Sequence, residues 1–340
     1  MRRQVFAGLL IPFMLLELAC DNGPSQPDLT PIELSITNLT PLDPETEGTY
    51  ETWVVSPGGD LLSAGRFIVT SDPTSVETNS PVPNPEDIMI TVEPPDDDDD
   101  RPSMHKLFGG RFTDGIATLT TVGYVTVVGV PLEPTPGTHI LASPSDDGEN
   151  GYPSHEDAGL WLFNIGGDTL DGSYYLDFSP LTEGWYYEGW IVRDYGSVDA
   201  IWISYGKFRP DAFRQSNDRD DTGLGFFSGR TDYEFALSLT VRTPGDDWLG
   251  NALGLDVPGG VQLPLDLNGD ADLGILSRWT HVITIEPWGP NRAAESIHDA
   301  KPFWLEPYRN AIGEAPASTP RDIVFHPEGL PTGTATLRRD

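Results

Sequence analysis

Apolar and polar residues alternate along most of this chain with a period of two. Leu34-Ser35-Ile36-Thr37 is the first such run, followed by Tyr50 to Val55, Leu61 to Val69 and Ile88 to Val92. Successive side chains of an extended backbone point to opposite faces, so the pattern predicts strands with one buried face. Further strands are expected near Lys106 to Phe108, at Ile116 to Leu119, Tyr124 to Val130 and His139 to Ala142. Beyond these come Gly159 to Phe163, Tyr174 to Phe178, Tyr187 to Val192, Phe235 to Val241 and His281 to Ile285. No segment carries a long apolar stripe at 3.6-residue spacing, so helices should be few and short. Pro57 to Asp60 reads as a turn, Ser71 to Glu86 as a loop and Arg209 to Thr231 as a polar insertion. Ser143 to Asp157, rich in Pro, Gly, Asp and Asn, is the best domain boundary.

One stretch is spelled twice. Tyr50-Glu51-Thr52-Trp53-Val54-Val55 returns as Tyr187-Glu188-Gly189-Trp190-Ile191-Val192, each preceded by a Glu-Gly pair (Glu47-Gly48 and Glu183-Gly184). Each is followed by Ser-x-Gly-basic-Phe, at Ser63 to Phe67 and at Ser204 to Phe208. Ile90-Thr91-Val92-Glu93-Pro94 then recurs as Ile283-Thr284-Ile285-Glu286-Pro287, and Lys106 with Phe108 is matched to Lys301 with Phe303. Landmarks repeated in one order predict an internal duplication. Trp53 and Trp190 should fill one structural slot, Glu51 and Glu188 should pair with Arg66 and Lys207, and Trp185 and Tyr186 are freer to be exposed.

Composition supports this outline and narrows the partners. The 340 residues include 36 Gly and 32 Pro, with 38% hydrophobic residues, a turn-rich β composition and room for two cores. Lys plus Arg is 20 against 53 for Asp plus Glu, a formal net charge of −33. Such a surface repels nucleic acid and anionic headgroups, so no nucleic-acid role is expected.

The start of the chain reads as an address. Met1-Arg2-Arg3, an apolar run from Val5 to Leu16 and then Leu18-Ala19-Cys20 give a basic region, a short hydrophobic region and a small residue before a cut. This resembles a bacterial lipoprotein signal, which implies that Cys20, the one cysteine, becomes the lipidated first residue of the mature protein. No disulfide is then expected. The polar stretch Asn22 to Asp28 reads as a tether.

The order Glu-Gly, Tyr-Glu-x-Trp-hydrophobic, Ser-x-Gly-basic-Phe and a strand ending in Glu-Pro resembles the extracytoplasmic C-terminal domain of anti-sigma-K factors. The likeness covers roughly residues 30 to 120 and 159 to 305, and implies a β-sandwich outside the cytoplasm. Such regulators also carry a cytoplasmic sigma-binding segment and a membrane-crossing helix. Neither is read in this sequence, so direct sigma-factor binding is not expected.

Candidate chemistry is sparse. The six histidines form no metal-ligand spacing, and His281 is expected at an edge or in a loop. Ser154-His155-Glu156-Asp157 holds triad letters in immediate succession, which cannot assume triad geometry. Asp266 to Asp272 alternates oxygen side chains as a calcium loop does, but Ala271 stands where the turn needs Gly and Ser277 where a bidentate Glu should close the shell. It is expected to be an acidic turn, and Asp96 to Asp100 a solvated loop tip.

The expectation is therefore an all-β chain of two related antiparallel β-sandwich domains. Residues 1–20 form the signal, 21–30 the tether, 31–145 and 158–312 the two domains and 313–340 a Pro-rich, frayed tail. The expected protein is a lipid-anchored envelope protein without catalytic residues, metal or cofactor, touching the membrane through its lipid alone. It should bind an envelope protein or a surface component, or sense the envelope; the alternative is a carbohydrate-binding or adhesion module.

Overall fold

The computed structural model describes residues 29–123, 128–143, 155–163, 176–208, 244–249, 261–270, 274–287 and 301–338. Among them the fold is all-β, without an α-helix. The first half contributes β1 (Thr30–Thr37), β2 (Thr49–Val55), β3 (Leu61–Phe67), β4 (Thr74–Ser80), β5 (Asp87–Glu93), β6 (Lys106–Arg111), β7 (Ile116–Leu119) and β8 (Thr138–Leu141). The second contributes β9 (Gly159–Phe163), β10 (Trp185–Arg193), β11 (Ile201–Phe208), β12 (Gly245–Asp247), β13 (Gly269–Asp270), β14 (Ile275–Leu276), β15 (Trp279–Pro287), β16 (Tyr308–Ala311), β17 (Arg321–Asp322) and β18 (Thr332–Leu337).

Four four-stranded antiparallel sheets result, with a small β13–β14 ladder beside them. The sheet β3-β2-β5-β6 faces β4-β1-β18-β7, and β11-β10-β15-β16 stands to β12-β9-β8-β17 in the same relation. Position for position the two pairs of sheets have one topology, which suggests an internal duplication. The alternation of β1 buries Ile32, Leu34 and Ile36 and leaves Ser35 and Thr37 outward. On β2 the inner residues Tyr50 and Val54 meet Ile88, Ile90 and Val92 of β5 in the core. Tyr50 stacks on Phe67 at 5.6 Å and donates to Thr40 O at 2.8 Å; Tyr187 stacks on Phe208 at 5.7 Å and donates to Ser179 O at 2.8 Å.

The two last strands are exchanged. β18, from the second half, lies between β1 and β7 of the first, with Ile32 opposite Leu337 and Ala117 opposite Ala335. β8, from the first half, lies between β9 and β17 of the second, with Leu160 opposite Leu141 and Arg321 opposite His139. Each sandwich is thus closed by a strand of the other half. Residues 313–340 are accordingly no frayed tail: β17 forms the edge of one sheet and β18 lies inside another, where alternation buries Ala335 and Leu337. The boundary expected between residues 145 and 158 joins β8 and β9, which pair in one sheet, so no clean cut separates two domains there.

Smaller expectations also change. The loop read at Ser71 to Glu86 contains β4, a polar edge strand whose Thr74, Thr78 and Ser80 are buried by its neighbours. Phe303 does not correspond to Phe108: β5 and β15 place Tyr308 opposite Ile283 as they place Phe108 opposite Ile90. The counterpart of Phe303 is Ser103, since the amides of both donate to the carboxylate of the Glu-Pro pair, Glu286 and Glu93. Leu176 to Phe178 is not a strand. Cys20, the expected tether as far as Asp28, residues 124–127 and 174–175, and the insertion and strand expected at 209–231 and 235–241 lie outside the described residues.

Removing residues 330–340 should therefore unfold the first sandwich, although its own strands remain. The expected result is loss of cooperative urea unfolding at Trp53, where a true tail would leave the midpoint unchanged.

Candidate functional site

The repeated motif builds structure on the outer faces of β2-β5 and β10-β15. Trp53 Nε1 donates to Thr91 Oγ1 at 3.0 Å, and Trp190 Nε1 to Thr284 Oγ1 at 2.9 Å; each threonine hydroxyl donates on to its Glu-Pro carboxylate, Glu93 or Glu286. Ser63 donates to Glu51 and Ser204 to Glu188. The glycine of each Ser-x-Gly has positive φ, 117° at Gly65 and 106° at Gly206, as the bulge opposite the Trp requires of a residue without Cβ. Trp53 and Trp190 are buried, as expected of a structural slot.

Both expected ion pairs form, with unequal weight. Arg66 Nε lies 2.9 Å from Glu51 Oε2, with 41% of its side chain exposed, and also meets Asp97. Lys207 Nζ lies 3.0 Å from Glu188 Oε2, and those side chains are 3% and 0% exposed. Glu51, Glu93 and Asp97 bring three carboxylates within 4.8 Å of one another. Arg66 bridges two of them, and Thr91 with the Ser103 amide engages the third, so the group is already served by protein donors. Burial pushes the Glu93 carboxyl above its ordinary range.

Several residues considered for chemistry prove structural. Trp185 is buried, and its Nε1 donates to Lys106 O at 3.1 Å. It is not the exposed aromatic expected, because it lies where the two sandwiches meet and packs on His105. Tyr186 is half-buried. In the Asp266 to Asp272 loop, Asp266 Oδ1 accepts from Gly269 N at 2.6 Å, the bond of an ordinary turn; residues 271–273 lie outside the described residues. Asp97 amide closes a turn onto Pro94 O within the expected loop tip. His155 stands at the N-cap of the short 3-10 turn Glu156 to Ala158 without a side-chain capping bond, its carbonyl accepting from the Ala158 amide and the Ser143 hydroxyl, while Ser154 lies outside the described residues.

His281 is the clearest correction. It sits inside β15, buried, with β10 and β16 on its two sides. Its Nδ1 is 3.2 Å from Nδ1 of His139 and its Nε2 is 2.9 Å from Tyr205 Oη, a chain of three rings in the second core. Burial holds His139 well below the ordinary imidazole range, with His281 and Arg321 nearby adding to the effect, and burial alone depresses His281 to about 3.

A concave site among the described residues lies where the sandwiches adjoin. A cleft of about 340 Å³ is lined from the first half by the Asn38 to Pro41 turn and Asp72, and from the second by Trp304, Glu306, Arg309, Glu328 and Gly329. The last two belong to the segment that carries the chain across into β18. Asn38 has φ 58°, its amide donates to Asp72 Oδ1 at 2.8 Å and its side chain reaches Leu330 O at 3.3 Å. Tyr195 Oη donates to Glu306 Oε2 at 2.5 Å, and Arg309 Nη1 is 3.5 Å from the same hydroxyl while Nη2 holds Glu328. Burial raises the Glu306 carboxyl, and it raises the Tyr195 phenol to about 12. The site offers a partly buried indole beside fixed donors and acceptors, a surface suited to holding a hydroxyl-rich molecule. Sequence reading did not find it, since Asp72, Trp304 and Arg309 share no motif.

No family model, curated protein or solved structure matches this chain. The geometry stands by itself.

Two outcomes follow from the buried charges. Lys207→Met should cost about 3–5 kcal/mol in urea unfolding, because Glu188 is left buried without its cation, whereas Arg66→Met should cost about 1 kcal/mol or less. For the histidines the folded pKa lies below the unfolded value, so the unfolded state binds more protons as pH falls. Their contribution is complete above about 6.5 and is lost as pH falls from there toward 3. The unfolding midpoint should fall across that window, and less so in the His139→Ala, His281→Ile variant.

Proposed function

We propose that this is a non-catalytic binding or sensing protein of the bacterial cell envelope, carried on a lipid at Cys20. The observation that carries the binding role is the cleft at the junction. It draws on both halves and on the crossing segment, so an occupant would touch the parts of the chain that must stay together. The leader and its cysteine support the address. The likeness to anti-sigma-K extracytoplasmic domains supports an envelope setting. It does not by itself bring sigma-factor binding, since the motif residues serve the sheets.

One feature favours the alternative of a carbohydrate ligand. Trp304 is half-buried at the cleft beside Asn38, Asp72 and Arg309, and an aromatic face with fixed polar neighbours suits a sugar ring better than a flat protein surface does. An envelope protein partner would instead bury far more area than this cleft offers.

Two measurements test the reading. Labelled fatty acid should enter the natural protein expressed in a bacterial host and not a Cys20→Ser variant; equal incorporation removes the anchor. Neutral oligosaccharides of bacterial envelopes should alter tryptophan fluorescence, and Arg309→Ala with Trp304→Ala should weaken that binding at least tenfold in protein that still unfolds cooperatively. A response to sugars that both substitutions leave intact places the ligand elsewhere.

A further inference from the structure

Chain connectivity does not explain why the last strands are exchanged. Residues 120–137 separate β7 from β8 and residues 323–331 separate β17 from β18. Either connection could close a local hairpin, and loop-closure entropy changes only slowly with length. Neighbours in sequence usually pair, so the strands themselves must carry a preference.

The two strands share the Thr and the Leu at the ends of their matched stretch. Thr138-His139-Ile140-Leu141 occupies the second sandwich as Thr334-Ala335-Thr336-Leu337 occupies the first, with Leu141 against Leu160 and Leu337 against Ile32. The inward difference is His139 against Ala335. In the second sandwich His139 meets His281, which meets Tyr205. The registers of the repeated motif identify the corresponding positions of the first sandwich: Ile88 for His281 and Ala64 for Tyr205. A further pair changes with them. A Cβ on Gly189 would stand 1.6 Å from the Tyr205 ring, whereas Ala64 leaves room for Thr52 at the matching place. One sandwich is therefore cut for an imidazole and the other for a methyl group.

We propose that His139 and Ala335 direct the exchange, each last strand fitting the other half's sandwich and not its own. His139 placed in the first sandwich would bury an imidazole beside Ile88 and Ala117 in a space that Ala335 fills. Ala335 placed in the second would leave a void beside His281 and strip that ring of its Nδ1 partner, with Tyr205 alone remaining. Mismatch on both sides makes the crossed arrangement the one that packs, and the two sandwiches close as one unit.

Thiol cross-linking in a Cys20→Ser background, on the monomeric fraction, tests this. Glu33→Cys with Thr336→Cys reports the crossed arrangement, and Glu33→Cys with Ile140→Cys the local one. With natural strands a short bis-maleimide should join only the first pair. Interchanging the two residues, His139→Ala with Ala335→His, should shift the product ratio toward the second pair by at least tenfold. If that variant does not fold, His139→Ala alone decides, since it asks for no new space and should yield both products. Retention of the first product alone in the foldable variant, or formation of the second with natural strands, overturns the proposal.

Discussion

A sheet with a strand missing from its interior presents two facing rows of unpaired backbone donors and acceptors, and burying them unpaired is costly. β1 and β7 stand on either side of such a gap, and so do β9 and β17. In this molecule each gap is filled from the other half, by β18 and by β8. Arg338 fastens the first of these on the outside, reaching Glu33 at 2.9 Å and Glu77 at 3.4 Å. Arg321 on β17, opposite His139 of the second, ties down the 312–319 connection beside it. Its guanidinium, drawn down in pKa by burial, donates to the carbonyls of Ile312, Ala315 and Thr319 at 2.6 to 2.8 Å, with no carboxylate among those partners.

The repeated motif is best understood as what allows a sheet to be covered on both faces. β2 and β5 bury nearly every residue, so their outer sides need polar groups with partners as well as bulk. Trp supplies the bulk and one donor, Thr relays it, and the Glu of Glu-Pro accepts both the hydroxyl and a backbone amide from the returning chain. The second half follows the same plan more tightly, exchanging a half-exposed Arg66 for a buried Lys207. Removing one partner there leaves a charge away from water, so the two pairs differ in consequence although their letters look alike.

Much of this was legible in the residues. Alternation found β1, β2, β5 and β10, and recurrence found the tryptophan slot and both ion pairs. What escaped notice depended on neighbours across a sheet. β4 and β18 are rich in Thr, Ser and Gly, and their burial comes from the strands beside them, which local hydropathy does not register. His281 looked like a strand-end residue because its partner His139 lies 142 positions away. Lys301 and Phe303 misled because like letters followed Glu-Pro, where the ladder counts positions instead. The cleft was invisible for a related reason: its walls come from turns far apart in the chain, brought together only once the crossing is made.

The first and last described strands end side by side. Arg338 N donates to Pro31 O at 2.9 Å, so both ends of the fold leave from one corner. Were the described chain pulled apart by these two ends, the β1–β18 ladder would open from that corner, one rung at a time, instead of shearing all rungs together. The rungs of the seam between the halves would then part before the shared core beneath them gives way.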